Sequence, residues 1–135
     1  MREIDFRAKL KKQENIDLFG EWFYGDLIHY ADGSVYIRQK ETGTTLEAIQ
    51  ETVGQYWRTI NGQKLYDGDI FESTKYKSKW IVQYREDEER FCIAHPEEFH
   101  LKYVNPWQSP DKKWWIDFEK DFQIVGNIYD NPELI

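Results

Sequence analysis

Turn signals built on glycine interrupt this sequence at short intervals and limit the chain to short elements. Asp32-Gly33 and Asn61-Gly62 are dipeptides that supply the positive φ angles of tight hairpin turns. Gly68-Asp69 adds a third signal soon after the second. Because short strands separated by turn signals at roughly 8–12-residue spacing are typical of small barrels and sandwiches, the sequence predicts a mainly β fold.

Between these signals, apolar residues alternate with polar ones, as they do in strands with one buried face. Aromatic residues make up 17% of the chain, and their rings fit the pleated, half-buried surface of a sheet. The segments predicted as strands are Ile4 to Ala8, Trp22 to Tyr30 paired with Val35 to Ile37, Val53 to Ile60, Ile70 to Ser73, Trp80 to Tyr84 paired with Phe91 to Ile93, and Phe122 to Ile128.

One short helix is expected, which gives the predicted fold some α+β character. Thr44 is followed three residues later by Glu47, which matches a capping box, and Leu46 and Ile49 would lie on one side. The pattern therefore predicts one or two helical turns at this point.

A chain of 135 residues suits a single unit, and two small lobes are the alternative. The lobes would be an N-terminal β region over residues 1–58 and a barrel over residues 59–135. The C-terminal half contains enough predicted strands for a small SH3-like β-barrel. The N-terminal strand and hairpin region would then pack on that barrel.

The chain is acidic, with a formal charge of -7, which argues against a dedicated duplex-DNA binder. The single cysteine, Cys92, excludes an intramolecular disulfide and fits a reducing compartment. The first 30 residues contain no apolar segment typical of a signal peptide, and no stretch approaches the length of a membrane span. We therefore expect a cytoplasmic protein with no membrane partner.

Four ordered motifs are spread along the chain. They are Arg2-Glu3-Ile4-Asp5-Phe6-Arg7-Ala8, Glu51-Thr52-Val53-Gly54-Gln55-Tyr56, Asn61-Gly62 with Leu65-Tyr66-Asp67-Gly68-Asp69-Ile70, and Val125-Gly126-Asn127-Ile128-Tyr129-Asp130-Asn131-Pro132-Glu133-Leu134. Together they resemble the YopX family of phage and prophage proteins. The resemblance implies a mainly β fold containing an SH3-like barrel, a phage-associated origin in a bacterial host, and no established activity.

The chain departs from the family pattern at two places. Trp57-Arg58-Thr59 stands where the family typically has Thr-Gly-Leu, and the segment Lys102 to Trp115 is longer and more aromatic than usual. The motifs consist mainly of glycine and asparagine, which enable tight turns, and of apolar residues, which fill a core. The signature therefore indicates architecture and not catalysis.

The sequence contains no P-loop, dinucleotide-binding or nucleophile-elbow motif. The run Glu86-Asp87-Glu88-Glu89 offers oxygen ligands for a divalent cation, but adjacent carboxylates in a turn usually point into water. Cys92, His95 and His100 match zinc-ligand spacing in part, and a fourth ligand is missing. We therefore expect no catalytic residue, no metal site and no cofactor.

A basic stretch with aromatic neighbours is the main candidate binding site. Its residues are Lys75, Lys77, Lys79 and Arg85, interleaved with Tyr76, Trp80 and Tyr84. Small barrels bind single-stranded nucleic acid through such combinations of charge and stacking surface. The alternative is that the lysines, which are spaced two apart, mark an exposed edge strand protected against pairing with another chain.

Tryptophans in a proline-containing segment form a second candidate site. Trp107, Trp114 and Trp115 are close in sequence to Lys112 and Lys113. Aromatic rings that are not buried in a core suit contact with a protein partner or a homo-oligomer interface.

The leading hypothesis is a non-enzymatic protein that binds a host or phage protein or its own copies. Weak binding of single-stranded nucleic acid is the alternative, and a metal-dependent hydrolase built on the acidic turn is the third hypothesis.

Overall fold

A computed structural model describes residues 4–14, 17–73, 77–87, 89–98 and 121–135. The chain divides into two compact units, an N-terminal unit, Met1–Tyr56, and a C-terminal unit, Trp57–Ile135. The described residues form antiparallel strands and three short 3₁₀ helices, and none of these residues lies in an α-helix. The prediction of a mainly β protein is confirmed.

The strands follow one another closely along the chain. They are β1 (Phe6–Lys9), β2 (Trp22–His29), β3 (Val35–Arg38), β4 (Thr45–Ala48), β5 (Gly54–Ile60), β6 (Gln63–Tyr66), β7 (Asp69–Ser73), β8 (Ser78–Arg85), β9 (Arg90–Ala94) and β10 (Phe122–Asn127). The 3₁₀ helices are Gln50–Thr52, Pro96–Glu98 and Pro132–Leu134.

The N-terminal unit is built on one antiparallel sheet with the strand order β4-β3-β2-β1-β5. Strand β5 begins in this unit and continues into the C-terminal unit. One face of the sheet, which we call the inner face, carries the buried core of the unit. Its buried residues are Ala8, Val35, Ile37 and Ala48, packed against Phe6, Phe23, Leu27 and Val53.

The helical turn predicted from Thr44 and Glu47 is wrong, because this segment forms β4. Leu46 and Ala48 are buried while Thr45 and Glu47 are only half-buried, which is the two-residue period of a strand. Each of the four residues of β4 pairs with a residue of β3. Burial of alternate side chains and pairing with β3 therefore decide the conformation, and the local capping signal does not.

The outer edge of β4 is occupied by the segment that follows β1. Leu10 forms a bridge with Ala48, and the N–H of Lys11 donates to the carbonyl of Glu47 at 3.0 Å. The side-chain amide of Gln13 accepts from the N–H of Glu47 at 3.1 Å and donates to its carbonyl at 3.4 Å. The side chain of Gln13 therefore bonds both main-chain groups of Glu47, and it shares the carbonyl with the N–H of Lys11.

We expect Gln13→Ala to lower the free energy of unfolding by about 1 kcal/mol, because the N–H of Glu47 loses its acceptor while the carbonyl keeps the bond from Lys11. The measurement is urea denaturation followed by circular dichroism. Lys12→Ala is the control, since Lys12 is an exposed neighbour in the same segment. Equal stability of the two variants would contradict this role of Gln13.

The C-terminal unit contains the β5–β6 hairpin and a four-stranded antiparallel sheet with the order β10-β7-β8-β9. Asn61 and Gly62 both have positive φ angles, 51° and 74°, as the hairpin turn predicted from their sequence requires. The core cluster of the unit combines the hairpin and the sheet. Its buried residues are Ile60, Leu65, Phe71, Val82, Phe91, Ile93 and Phe122.

Strand β8 pairs with β7 from Ser78 to Ile81 and with β9 from Ile81 to Arg85. Lys79 therefore lies in the part of β8 that is paired with β7 alone, and the interpretation of the lysines as protection of an exposed edge stays a prediction. The sheets also do not close into a barrel in the part of the chain that the structure describes. The SH3-like arrangement expected for the C-terminal half is therefore not confirmed.

Candidate functional site

The described residues of the predicted basic stretch run from Lys77, just before β8, to Arg85 at the end of that strand. Lys75 and Tyr76 fall outside the described residues. Lys77 is exposed and has a positive φ of 53°, and the Nζ of Lys79 lies 3.5 Å from a carboxylate oxygen of Glu72. The charge of Lys79 is therefore already partly offset by its neighbour on β7.

The rings and the cations of β8 lie on opposite faces of the strand. Trp80 and Tyr84 pack against the core cluster of the C-terminal unit. Because side chains alternate along a strand, Lys79 and Arg85 lie on the other face. The ring of Trp80 also contacts that of His95, with 3.9 Å between the ring centres and a tilt of 33° between the planes. Nucleic-acid binding at this stretch stays a prediction, and it would need a base and its phosphate to reach both faces of β8.

The acidic turn between β8 and β9 is held by an ion pair within the chain. Arg85 donates to both carboxylate oxygens of Asp87, from Nε at 3.3 Å and from Nη2 at 3.1 Å. Glu88 lies outside the described residues. No group of three His, Cys, Asp or Glu side chains in the described ranges is arranged to hold a metal ion.

Three of the predicted binding residues, Trp107, Trp114 and Trp115, lie outside the described residues, and so does His100. Cys92 is completely buried in β9. Binding by the tryptophan segment therefore stays a prediction.

The sequence did not point to the face of the N-terminal sheet opposite its core, which we call the outer face. In the pairing of β1 with β2, Lys9 lies opposite Trp22 and Arg7 lies opposite Tyr24. Side chains of residues directly opposite one another project to the same side of the sheet. The pairings of β2, β3 and β4 extend this side across the sheet. The outer face comprises Arg7, Lys9, Trp22, Tyr24, Asp26, Ile28, Tyr36, Arg38, Thr45 and Glu47.

The aromatic rings of the outer face are held by cations and by one another. The guanidinium carbon of Arg7 lies 4.6 Å from the centre of the Trp22 ring, and the Nζ of Lys9 lies 5.6 Å from it, both within cation–π range. Tyr36 meets Tyr30 edge to face at 4.8 Å between ring centres. The signal in the sequence is the run from Trp22 to Tyr24, because three successive aromatic residues in a strand cannot all face the same core.

Positive side chains slightly outnumber negative ones on the outer face. Its cations are Arg7, which is buried, Lys9 and Arg38, and its acids are Asp26 and Glu47. The carboxylates of Asp5, Asp26 and Glu47 lie 3.3 to 3.8 Å from the Nζ of Lys11 or Lys40. The outer face therefore carries one more cation than acid, although the whole chain carries -7.

A tight turn between β1 and β2 exposes an apolar tip. The N–H of Glu21 donates to the carbonyl of Leu18 at 3.0 Å, and Gly20 supplies a positive φ of 81°. The N–H of Gly20 donates to the carbonyl of Leu10 at 2.9 Å, which anchors the turn. Phe19 at the tip is 65% exposed. The backbone of this tip is thus held by hydrogen bonds, while the phenyl ring of Phe19 is exposed to solvent.

The motif around Gly68 serves the packing of the C-terminal unit. Gly68 has a φ of 94°, its N–H donates to the carbonyl of Val82 at 2.8 Å, and its carbonyl accepts from the N–H of Ile128 at 2.9 Å. A Cβ at this glycine would lie 3.2 Å from the ring of Tyr129. Asp69 is buried, and its carboxylate accepts from the N–H of Tyr66 at 2.8 Å.

The C-terminal motif forms a small hydrogen-bonded cap after β10. The side-chain oxygen of Asn131 accepts from the N–H of Asn127 at 3.2 Å. The side-chain oxygen of Asn127 accepts from the N–H groups of Tyr129 at 3.0 Å and Asp130 at 2.9 Å. A Cβ at Gly126 would approach the Cγ of Asn131 to 2.6 Å. The side chains of these motif residues therefore stabilise the fold through hydrogen bonds within the motif.

Comparison with known proteins gives one match to a family. The model of the family described as YopX protein matches residues 5–135 of the chain. No curated protein matches it. Among the described residues, no helix has the length and apolar character needed to cross a membrane.

Proposed function

The chain belongs to the YopX family, and on that premise we propose that it is a non-enzymatic accessory protein that acts by binding another protein or a second copy of itself. The observation that carries this proposal is the Leu18-Phe19 tip of the N-terminal unit. Phage or prophage origin, residence in the host cytoplasm and an SH3-like arrangement of the C-terminal strands are parts of the same proposal, supported by the resemblance.

The tip has the properties of an anchor residue at a protein interface. A few central aromatic side chains often supply most of the binding energy of an interface. Phe19 is exposed while the turn beneath it is fixed by hydrogen bonds to Leu10 and within the turn. Little conformational entropy would therefore be lost when a partner covers the ring.

We expect Phe19→Ser to weaken association by about tenfold or more, because the partner loses its main apolar contact. Self-association is measured by sedimentation equilibrium, and other partners by capture from bacterial lysate on immobilised protein. Ile4→Ser is the matched control, because Ile4 is 60% exposed and lies outside the turn.

The proposal is supported by an oligomer or a retained protein that survives Ile4→Ser and is lost in Phe19→Ser. A chain that is monomeric at every concentration tested, and that retains no protein in a manner dependent on Phe19, would contradict it. Circular dichroism of each variant excludes a folding defect as the cause.

A further inference from the structure

We propose that the outer face of the N-terminal sheet binds single-stranded nucleic acid. Bases would stack on the exposed aromatic rings, and phosphates would contact the cations among them. This inference goes beyond protein binding and concerns different residues from the Leu18-Phe19 tip. RNA and DNA share the chemistry on which it depends.

One ring of the outer face and one ring beside it are exposed. Tyr24 is 44% exposed, and Tyr30, which follows β2 and contacts Tyr36, is 50% exposed, while Trp22 and Tyr36 are half-buried. Trp22 and Tyr24 are two residues apart on β2, so their side chains leave the sheet about 7 Å from one another. Sheets that present aromatic rings in this way bind RNA by stacking two or three splayed bases.

The charges of this face complement a phosphate backbone. Lys9 and Arg38 lie on the same side of the sheet as Trp22 and Tyr24. The three acidic groups of the region are close to lysine ammonium groups. Rings and cations therefore share one face here, whereas on β8 the two kinds of side chain lie on opposite faces. This difference places the site on the N-terminal sheet.

The composition of the face favours a single strand over a duplex or a protein. Stacking needs unpaired bases, which a duplex does not offer. Ile28 is the one aliphatic residue of the outer face, and it is half-buried. A protein interface core would instead combine aromatic side chains with depletion of charge.

The test is fluorescence anisotropy of labelled oligo-dT and oligo-U of about 12 nucleotides, titrated with the full chain at low and at physiological salt. We expect the wild type to bind both probes, with affinity falling as salt rises. Tyr24→Leu is expected to weaken binding about 5- to 150-fold, the range observed when one stacking ring is removed. Arg38→Gln is expected to reduce the slope of log affinity against log salt by about 0.7, which is the release expected for one phosphate contact on a single strand.

Lys64→Gln is the matched control, because Lys64 is an exposed cation of β6 and lies outside both the outer face and the basic stretch of β8. Unchanged affinity in Lys64→Gln, together with the losses in Tyr24→Leu and Arg38→Gln, supports the site. Absence of binding at low salt, tighter binding of a duplex of the same length, or full affinity in Tyr24→Leu would overturn it. Since Tyr24 and Arg38 are exposed, both variants are expected to keep the wild-type circular dichroism spectrum.

Discussion

Gly25→Ala is expected to lower the free energy of unfolding by about 3 kcal/mol or more, through backbone strain combined with overpacking. Gly25 lies within β2 with a φ of 155°, a region that side chains rarely adopt. A Cβ at this position would collide with the carbonyl oxygen of Arg38 and lie 2.7 Å from its carbonyl carbon. Because the obstacle is the backbone of β3, no side-chain rotation relieves the clash.

Urea denaturation of Gly25→Ala and of Gly62→Ala separates the two causes. Gly62 also has a positive φ, 74°, but a Cβ there meets no atom within 4 Å. We expect Gly62→Ala to cost about 1 kcal/mol from backbone strain alone. Equal losses in the two variants would show that the close approach of β2 and β3 at Gly25 has no energetic importance.

The second large effect is expected at Asp69. Asp69→Ala should lower the free energy of unfolding by about 2–3 kcal/mol, since it removes a charge-assisted hydrogen bond at a buried site. The side chain is 3% exposed, and its carboxylate accepts from the N–H of Tyr66, which is also buried. The substitution leaves that N–H without its acceptor in a place from which water is excluded.

Asp69→Asn tests whether the acceptor oxygen or the negative charge is needed. The amide oxygen of Asn can accept the same hydrogen bond, so this variant is expected to regain about 1 kcal/mol or more of the loss. Chemical denaturation measures both variants. An Asn variant as unstable as the Ala variant would show that charge interactions of Asp69, and not the bond to Tyr66, dominate.

Short sequence signals were sufficient to predict the hairpin turns at Asp32-Gly33 and Asn61-Gly62. Asp32-Gly33 joins β2 to β3, and the side chain of Asp32 accepts from both the N–H and the hydroxyl of Ser34. These bonds lower the pKa of the Asp32 carboxyl. Asn61-Gly62 likewise joins β5 to β6. In these turns the geometry depends on neighbouring residues alone, so the sequence was enough to predict it.

The helical turn predicted for Thr44 to Glu47 was wrong because the conformation there depends on contacts between distant segments. Thr44 and Glu47 match a capping box, but β3 and the segment after β1 occupy the two edges of β4. This arrangement cannot be read from one short window of sequence.

The candidate site on the N-terminal sheet was missed for a similar reason. Alternation showed which residues of β2 share a face, but only the register with β1 brings Arg7 and Lys9 to Trp22. The basic stretch of β8 was visible because its lysines are near one another in sequence. Its pairing with Glu72 and the packing of Trp80 appear only in three dimensions.

The contacts that cover the edge of β4 also affect the tendency of the protein to aggregate in concentrated solution. The segment that follows β1 and the side-chain amide of Gln13 cover this edge. If residues 10–13 detach during heating or storage, the main chain of β4 becomes a template for a strand from another molecule. Intermolecular aggregation of this protein is therefore expected to begin at Thr45–Ala48, well before global unfolding.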